Sequence, residues 1–265
     1  VSSPHELGSF YDSGFYKNQS DASYDAAVAM LPVVLDLVEA SSLVDIGCGV
    51  GTWLAAAGAH GVRQLVGVEG GWVRPELLRS PAIRLVTHDL EQPLTLTDRF
   101  DLAMSVEVAE HISAARSDSL VRELCSLSTC VLFGAAIPGQ GGTNHINEQW
   151  QSYWAARFAA SGYRPLDILR PRFWHRREIP VHYRQNPLLY VHESRFAEIA
   201  ARSGERLPEW EIDLVHPEVH LWNYRDSLRP RTLRESLRTI ADLPAAVGRS
   251  LMARSSGRTG GSAPT

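Results

Sequence analysis

The chain has 265 residues, 44% of them hydrophobic and 21% charged, with a net charge of −4. That length suits one large domain with appendages rather than two, and the balance of residues is that of an ordinary globular protein. The acidic charge argues against nucleic-acid binding through bulk electrostatics, and no apolar run approaches the length of a membrane span.

Residues 1–19 group Phe10, Tyr11, Phe15 and Tyr16, a pattern that reads as a docked strap or lid. Apolar residues at helical spacing predict a helix over 21–39, with Pro32 bending or breaking it. A strand over 43–46 then runs into Gly47, Gly49 and Gly51, and a helix follows from Thr52 and Trp53, where Trp53 is expected to pack against the sheet. A second strand over 64–68 ends at Glu69, and a third over 83–86 leads to Asp89 and Leu90. A fourth over 100–105 leads to Glu107, Glu110 and His111. Next come a helix over 114–127, a fifth strand over 129–133 and a helix over 147–161 closed by Gly162.

Residues 163–169 and 188–192 read as the last two strands. Between them Arg170, Arg172, Arg176 and Arg177 mingle with Phe173, Trp174 and His175, which reads as a solvated hairpin or as a surface for an anionic or sugar-bearing substrate. His182, Tyr183 and Asn186 fall where a substrate would enter, whereas His216 and His220 lack a third ligand nearby and are set aside. Weak helical spacing over 228–253 precedes a Gly/Ser/Pro tail at 255–265, expected to be disordered. The expected organisation is a strap and helix at 1–40, a core at 41–195, an extension at 196–254 and the tail. The first residues lack the basic-then-apolar layout of a secretion signal. Cys48, Cys125 and Cys130 show no metal-type pairing and read as buried free thiols, so a cytoplasmic location is expected.

Alternating strands and helices predict a parallel sheet covered on both faces, with ligands at the carboxyl ends of the strands. Three glycines at alternate positions let a ligand lie against bare backbone there. An acid closing the second strand is placed to accept hydrogen bonds from two ribose hydroxyls.

These motifs, in this order, resemble the class I S-adenosylmethionine-dependent methyltransferases. The resemblance covers residues 10–195 and implies a Rossmann-like α/β fold, a seven-stranded mainly parallel sheet with an antiparallel edge strand and helices on both faces. It implies that Gly47, Gly49 and Gly51 face the amino-acid part of S-adenosylmethionine, that Glu69 takes the ribose, that Asp89 and Leu90 take the adenine, and that Asp45 joins them in holding the cofactor. A dinucleotide dehydrogenase would place its third glycine one residue further on.

Glu107, Glu110 and His111 stand where cofactor and acceptor should meet, and His145 follows the fifth strand, whose loop neighbours theirs. If a helical turn starts at Glu107, the three share a face. Two carboxylates and two imidazoles suit a divalent ion such as Mg²⁺ or Mn²⁺. The layout resembles the small-RNA 2′-O-methyltransferases, whose two glutamates and two histidines hold a metal on a ribose diol, and the quinone-biosynthesis O-methyltransferases, which act on a catechol. With Asn147-Glu148-Gln149-Trp150 and Tyr183-Arg184-Gln185-Asn186 it also resembles a bacterial group found with glycan and specialised-metabolite clusters. Three readings stay open for the four residues: metal ligands, a metal-free acid/base site with His111 or His145 as base, or a loop brace and helix cap. The expected activity is O-methylation of a small hydroxylated acceptor, a sugar, glycosylated metabolite or phenol, without a nucleic-acid or membrane partner. The alternatives are N-methylation of an amine and a cofactor-binding partner without turnover.

Overall fold

Five residues, Ser42–Ile46, form a strand (β1) in the interior of a seven-stranded sheet. A computed structural model describes the backbone of residues 13–204 and 212–228, and the side chains of all but 13–20 and 223–228 of these. Along β1 the side chains alternate: Leu43 enters one apolar core, Val44 and Ile46 the other. A strand with both faces apolar needs helices on both sides, and the chain supplies them.

The strands in order are β2 (Gln64–Glu69), β3 (Ile83–Thr87), β4 (Leu102–Val106), β5 (Cys130–Gly134), β6 (Tyr163–Leu166) and β7 (Leu188–His192). They lie side by side as β3-β2-β1-β4-β5-β7-β6. The first five pair parallel, while β7 runs antiparallel to both β5 and β6. The antiparallel strand is therefore one in from the edge, and β6 is the edge itself. Strand order reverses between β1 and β4, which opens a crevice at their carboxyl ends, where such sheets bind ligands.

On one face lie α1 (Ser13–Val38), α2 (Thr52–Ala59) and α7 (Glu193–Ser203). Ala26, Ala27, Met30, Leu31, Val34, Leu35 and Val38 recur at three- and four-residue steps and are all buried, so α1 runs unbroken through Pro32. It ends where Glu39 turns left-handed at φ 56°. On the other face lie α3 (Ser117–Leu127) and α4 (Gln151–Ala160). Two short helices, α5 (Arg170–Phe173) and α6 (Val181–Gln185), connect β6 to β7, and α8 (Pro217–Leu228) ends the described chain.

Three expectations shift. The helix after β4 begins at Ser117, because residues 109–111 and 114–116 are separate 3₁₀ turns. The helix after β5 begins at Gln151, because the preceding residues wrap the site instead. The arginine-rich stretch is no solvated hairpin: Arg170 is buried, with Nη1 on the Ile212 carbonyl, Asp167 at 2.8 Å from its Nε and Arg170 at the start of α5. Arg172, Arg176 and Arg177 are exposed.

The chain divides into two units between Trp222 and Asn223. The aromatic pair Phe10 and Tyr11, most of the helix expected over 228–253 and the tail at 255–265 lie outside the described residues, as do the side chains of Phe15 and Tyr16. No helix among the described residues is long and apolar enough to cross a membrane. Cys48 and Cys130 are buried, Cys125 is half-buried, and all three are free.

Phe158 is fully buried beneath the sheet, stacked on Tyr190 with ring centroids 3.9 Å apart and edge-on to Phe133. Phe158→Ala should lower unfolding stability by about 3–5 kcal/mol. The check is a shift of the denaturant midpoint with an unchanged slope.

Candidate functional site

At the end of β1 the backbone turns through Gly47, Gly49 and Gly51, all at positive φ (83°, 53° and 74°). Gly47 is required twice over: a Cβ there would also stand 2.5 Å from the methyls of Val108, in the loop after β4. Gly49 faces open space, so the loop presents bare backbone outward. The Gly47 and Cys48 amides both donate to the Val68 carbonyl, which ties the loop to β2 (2.8 and 3.2 Å).

Glu69 closes β2 and reaches back under this loop. Its carboxylate accepts from the Gly49 amide (2.8 Å) and from its neighbour Gly70 (2.9 Å). Burial pushes its carboxyl up, and those two hydrogen bonds pull against the rise. Asp45 is buried beneath, its carboxyl pushed up to about 8 by burial and then by the charge of Glu69. Two buried acids beside a glycine loop open to solvent fit a ligand that carries a cationic group and a sugar diol. Asp89 is exposed beyond β3, its carboxylate accepting from the Glu91 amide (3.0 Å), while Leu90 is buried. The Leu90 carbonyl accepts from Nε of Arg116 (3.1 Å), and Arg116 also pairs with Glu123 (2.8 Å). Sequence reading did not single out Arg116, whose role rests on carbonyls far away in the chain. Trp53 is buried at the start of α2, edge-on to Tyr183 at 5.3 Å, and the Tyr183 hydroxyl meets the Ser23 hydroxyl of α1 (2.7 Å).

Beyond β4 the four expected site residues separate into one and three. Glu107 adopts a left-handed backbone (φ 58°), so no helical turn carries it onto a face with Glu110 and His111. Its carboxylate accepts from Asn186 Nδ2 (2.7 Å) and from Gln140 Nε2 (3.1 Å). The 3₁₀ turn Ala109–His111 then points Glu110 inward. Glu110 is wholly buried, and neither carboxyl oxygen has a hydrogen-bond partner among the described residues. Burial first, and then the charge of Glu107, push its carboxyl well up.

The loop after β5 closes over this turn. Amides of Ile146 and Asn147 both donate to the Glu110 carbonyl (2.9 and 3.0 Å), and the Asn147 side chain donates to the Ala109 carbonyl (3.3 Å). That brings His145 edge-on to His111, with ring centroids 4.9 Å apart. Glu148 braces the loop by accepting from the amides of Gly139 and Gly141 (2.8 Å each) and from His145 Nδ1 (2.9 Å). This hydrogen bond places the His145 proton on Nδ1 and leaves Nε2 with its lone pair, packed over Gly142. The role of Glu148 was not foreseen, although His-x-x-Glu spacing was its signal. His111 is half-buried, its Nδ1 meets no hydrogen-bond partner among the described residues, and burial with the neighbouring His145 lowers it to about 4, so it is neutral at neutral pH. One ligand atom each from Glu110, His111 and His145 lie within 4.8 Å of one another.

Residues 19–134 match a family model described as a methyltransferase domain. By that likeness the protein is an enzyme, and the match spans the glycine loop, Glu69, Asp89 and the Glu107–His111 turn. An O-methyltransferase family protein from Burkholderia thailandensis shares the fold, with a TM-score of 0.51 at 11% identity over 68% of this chain and 57% of that one. The magnesium protoporphyrin IX methyltransferase of Synechocystis PCC 6803, solved with bound SAH, aligns at 18% identity over 64% of this chain and 82% of its own (TM-score 0.45). DesVI of Streptomyces venezuelae aligns at 15% over 72% and 100% (TM-score 0.49). No curated protein matches the sequence.

Asp45 yields a pH prediction. Its carboxyl titrates at about 8 in the native state against 3.8 ordinarily, so the folded chain holds the proton more tightly than the unfolded one. That contribution to stability is complete below about pH 4 and is lost as the pH rises through 8. Asp45→Asn should remove this slope, raising Tm at pH 8 by on the order of 5 °C with little change at pH 4.5. Thermal melts of both proteins at the two pH values provide the check.

Proposed function

We propose that this enzyme transfers the methyl group of S-adenosylmethionine to an oxygen of a small hydroxylated acceptor, a sugar, glycosylated metabolite or phenol, with help from a divalent ion. The observation that carries the proposal is Glu110: a buried carboxyl without a hydrogen bond, whose oxygen lies within 4.8 Å of a ring nitrogen from each of two histidines. A buried acid left without a donor is strongly disfavoured unless a cation meets it, and a carboxylate with two imidazoles suits a divalent ion such as Mn²⁺, Fe²⁺ or Zn²⁺.

On the cofactor side, Asp45 and Glu69 offer carboxyl oxygens to the amino-acid and ribose groups, Asp45 releasing its proton where a cationic group meets it, while Gly47, Gly49 and Gly51 let the cofactor approach the backbone. Asp89 and Leu90 would flank the adenine. In the reaction a C–O bond forms as the S–CH₃ bond breaks, the sulfonium leaves as a neutral thioether, and the acceptor's hydroxyl proton passes to solvent water. Glu110, His111 and His145 would hold the ion, which when bound lowers the pKa of an acceptor hydroxyl and fixes its direction. Glu148 orients His145 for that role, as outer carboxylates do for ligating histidines.

A metal-free reading has its own observation. The Glu148–His145 pair, with Nδ1 donating to the carboxylate, is the arrangement of an oriented general base, which would serve O- or N-methylation. The test is calorimetric titration of S-adenosylhomocysteine into metal-stripped protein, repeated with Mn²⁺ and a panel of diols. Cofactor binding with diol binding that requires Mn²⁺ is the expected result. Diol or amine binding indifferent to metal would transfer the reading to the Glu148–His145 base, and absence of cofactor binding would overturn both.

A further inference from the structure

The sequence groups Glu107 with Glu110, His111 and His145, but the structure gives it different neighbours. Both oxygens of its carboxylate are engaged by amides, Asn186 Nδ2 on one and Gln140 Nε2 on the other. Asn186 Nδ2 also donates to Gln140 Oε1 (3.1 Å), so the two amides brace each other. Its backbone is fixed as well, the Glu107 amide donating to the Gly134 carbonyl (2.8 Å) while φ stands at 58°. A non-glycine residue persists in that region only where its surroundings hold it there.

The polarity of this cradle is set from a distance. The His216 backbone N–H donates to Gln185 Oε1, which makes that atom the oxygen of the amide. Gln185 Nε2 therefore donates, and it does so to Asn186 Oδ1 (2.8 Å). With its oxygen so engaged, Asn186 presents NH₂ to Glu107. His216 is itself seated by Arg184 (3.2 Å) and the Trp174 carbonyl (2.9 Å), so the segment before α8 fixes the amide chain that ends on Glu107. Gln185 and Asn186 are almost wholly buried, which leaves no solvent to let either amide flip.

We infer that Glu107 stands outside the metal's ligand set, held on the acceptor side by Gln140 and Asn186 as positioning residues, and that Glu110, His111 and His145 alone bind the ion. The inference rests on the metal reading above. Its consequence concerns the acceptor. A hard divalent ion takes about six ligands, so three protein ligands leave room for two adjacent oxygens of a chelating acceptor, and a fourth would narrow it. Glu107 is not among the side chains whose ligand atoms cluster within 4.8 Å, and the two amides hold its carboxylate in that place.

The test is Mn²⁺ titration of the metal-stripped full chain, free ion being followed by its EPR signal and folding by circular dichroism. Wild type and Glu107→Gln are expected to bind Mn²⁺ with Kd values within about threefold of each other, whereas Glu110→Gln should weaken binding by at least about tenfold. The double variant Gln140→Ala/Asn186→Ala releases the Glu107 carboxylate while leaving it charged, and should bind Mn²⁺ as tightly as wild type or more tightly. A ligating Glu107 would behave otherwise. Loss of its outer hydrogen bonds should then cost roughly 10- to 100-fold in affinity, and such a loss, or one in Glu107→Gln that matches Glu110→Gln, overturns the inference while the metal reading stands. Should Glu107→Gln fail to fold, the double variant decides alone. Absence of Mn²⁺ uptake by wild type would overturn the metal reading, and this inference with it.

Discussion

A carboxyl group with neither solvent nor a hydrogen-bond partner is a heavily disfavoured thing to build into a protein, and Glu110 meets neither among the described residues. Desolvation of that group is on the order of several kcal/mol even when the acid takes up a proton to stay neutral. The surrounding chain is arranged to hold it there regardless. The carbonyl of the same residue accepts two amides from the loop after β5, and Asn147 adds a bond to the preceding carbonyl. Glu110 is thus pinned through its backbone while its side chain is left unsatisfied. The strain is local and the support is distributed, which is the usual signature of a binding site rather than of a packing fault.

The same constraint accounts for what the sequence made legible and what it did not. The strands, the glycine loop and Glu69 could be read because each depends on a few consecutive residues: an apolar run of about five, then glycines where φ must be positive. The starts of α3 and α4 could not, because residues 114–116 and 147–150 carry helix-compatible side chains but are committed to the turns and the loop around Glu110. The pairing of His145 with His111 followed from strand order. The separation of Glu107 from Glu110 did not, since it hangs on one left-handed residue and on amides 33 and 79 positions away.

Arginine shows the same limit from another side. A run of arginines and aromatics reads as surface, because arginine is seldom buried. Here Arg170 and Arg184 are each about 2% exposed, their guanidinium groups taken up by carbonyls of Ile212, Ile179 and Trp174 and by Asp167 and Glu218. Burial of this kind requires acceptors from segments that sequence spacing does not connect. What these arginines do is fasten residues 212–218 to α5 and α6, so that the helix ending in Gln185 and Asn186 has a fixed back.

The distribution of buried charge then acquires a direction. Asp45 and Glu69 lie at the carboxyl ends of β1 and β2, and Glu110 beyond β4, so buried acids flank the crevice on both sides. The buried arginines are committed elsewhere, Arg116 to Glu123, Arg170 to Asp167 and Arg184 to Glu218. Raised carboxyl pKa values on both sides state the same fact in protons: each acid is held nearer its neutral form than water would allow. A cationic cofactor on one side and a divalent ion on the other would each meet an acid already desolvated and fixed in place. Electrostatic attraction is strongest where the protein has removed the water beforehand, and the crevice between β1 and β4 is where this fold has done so.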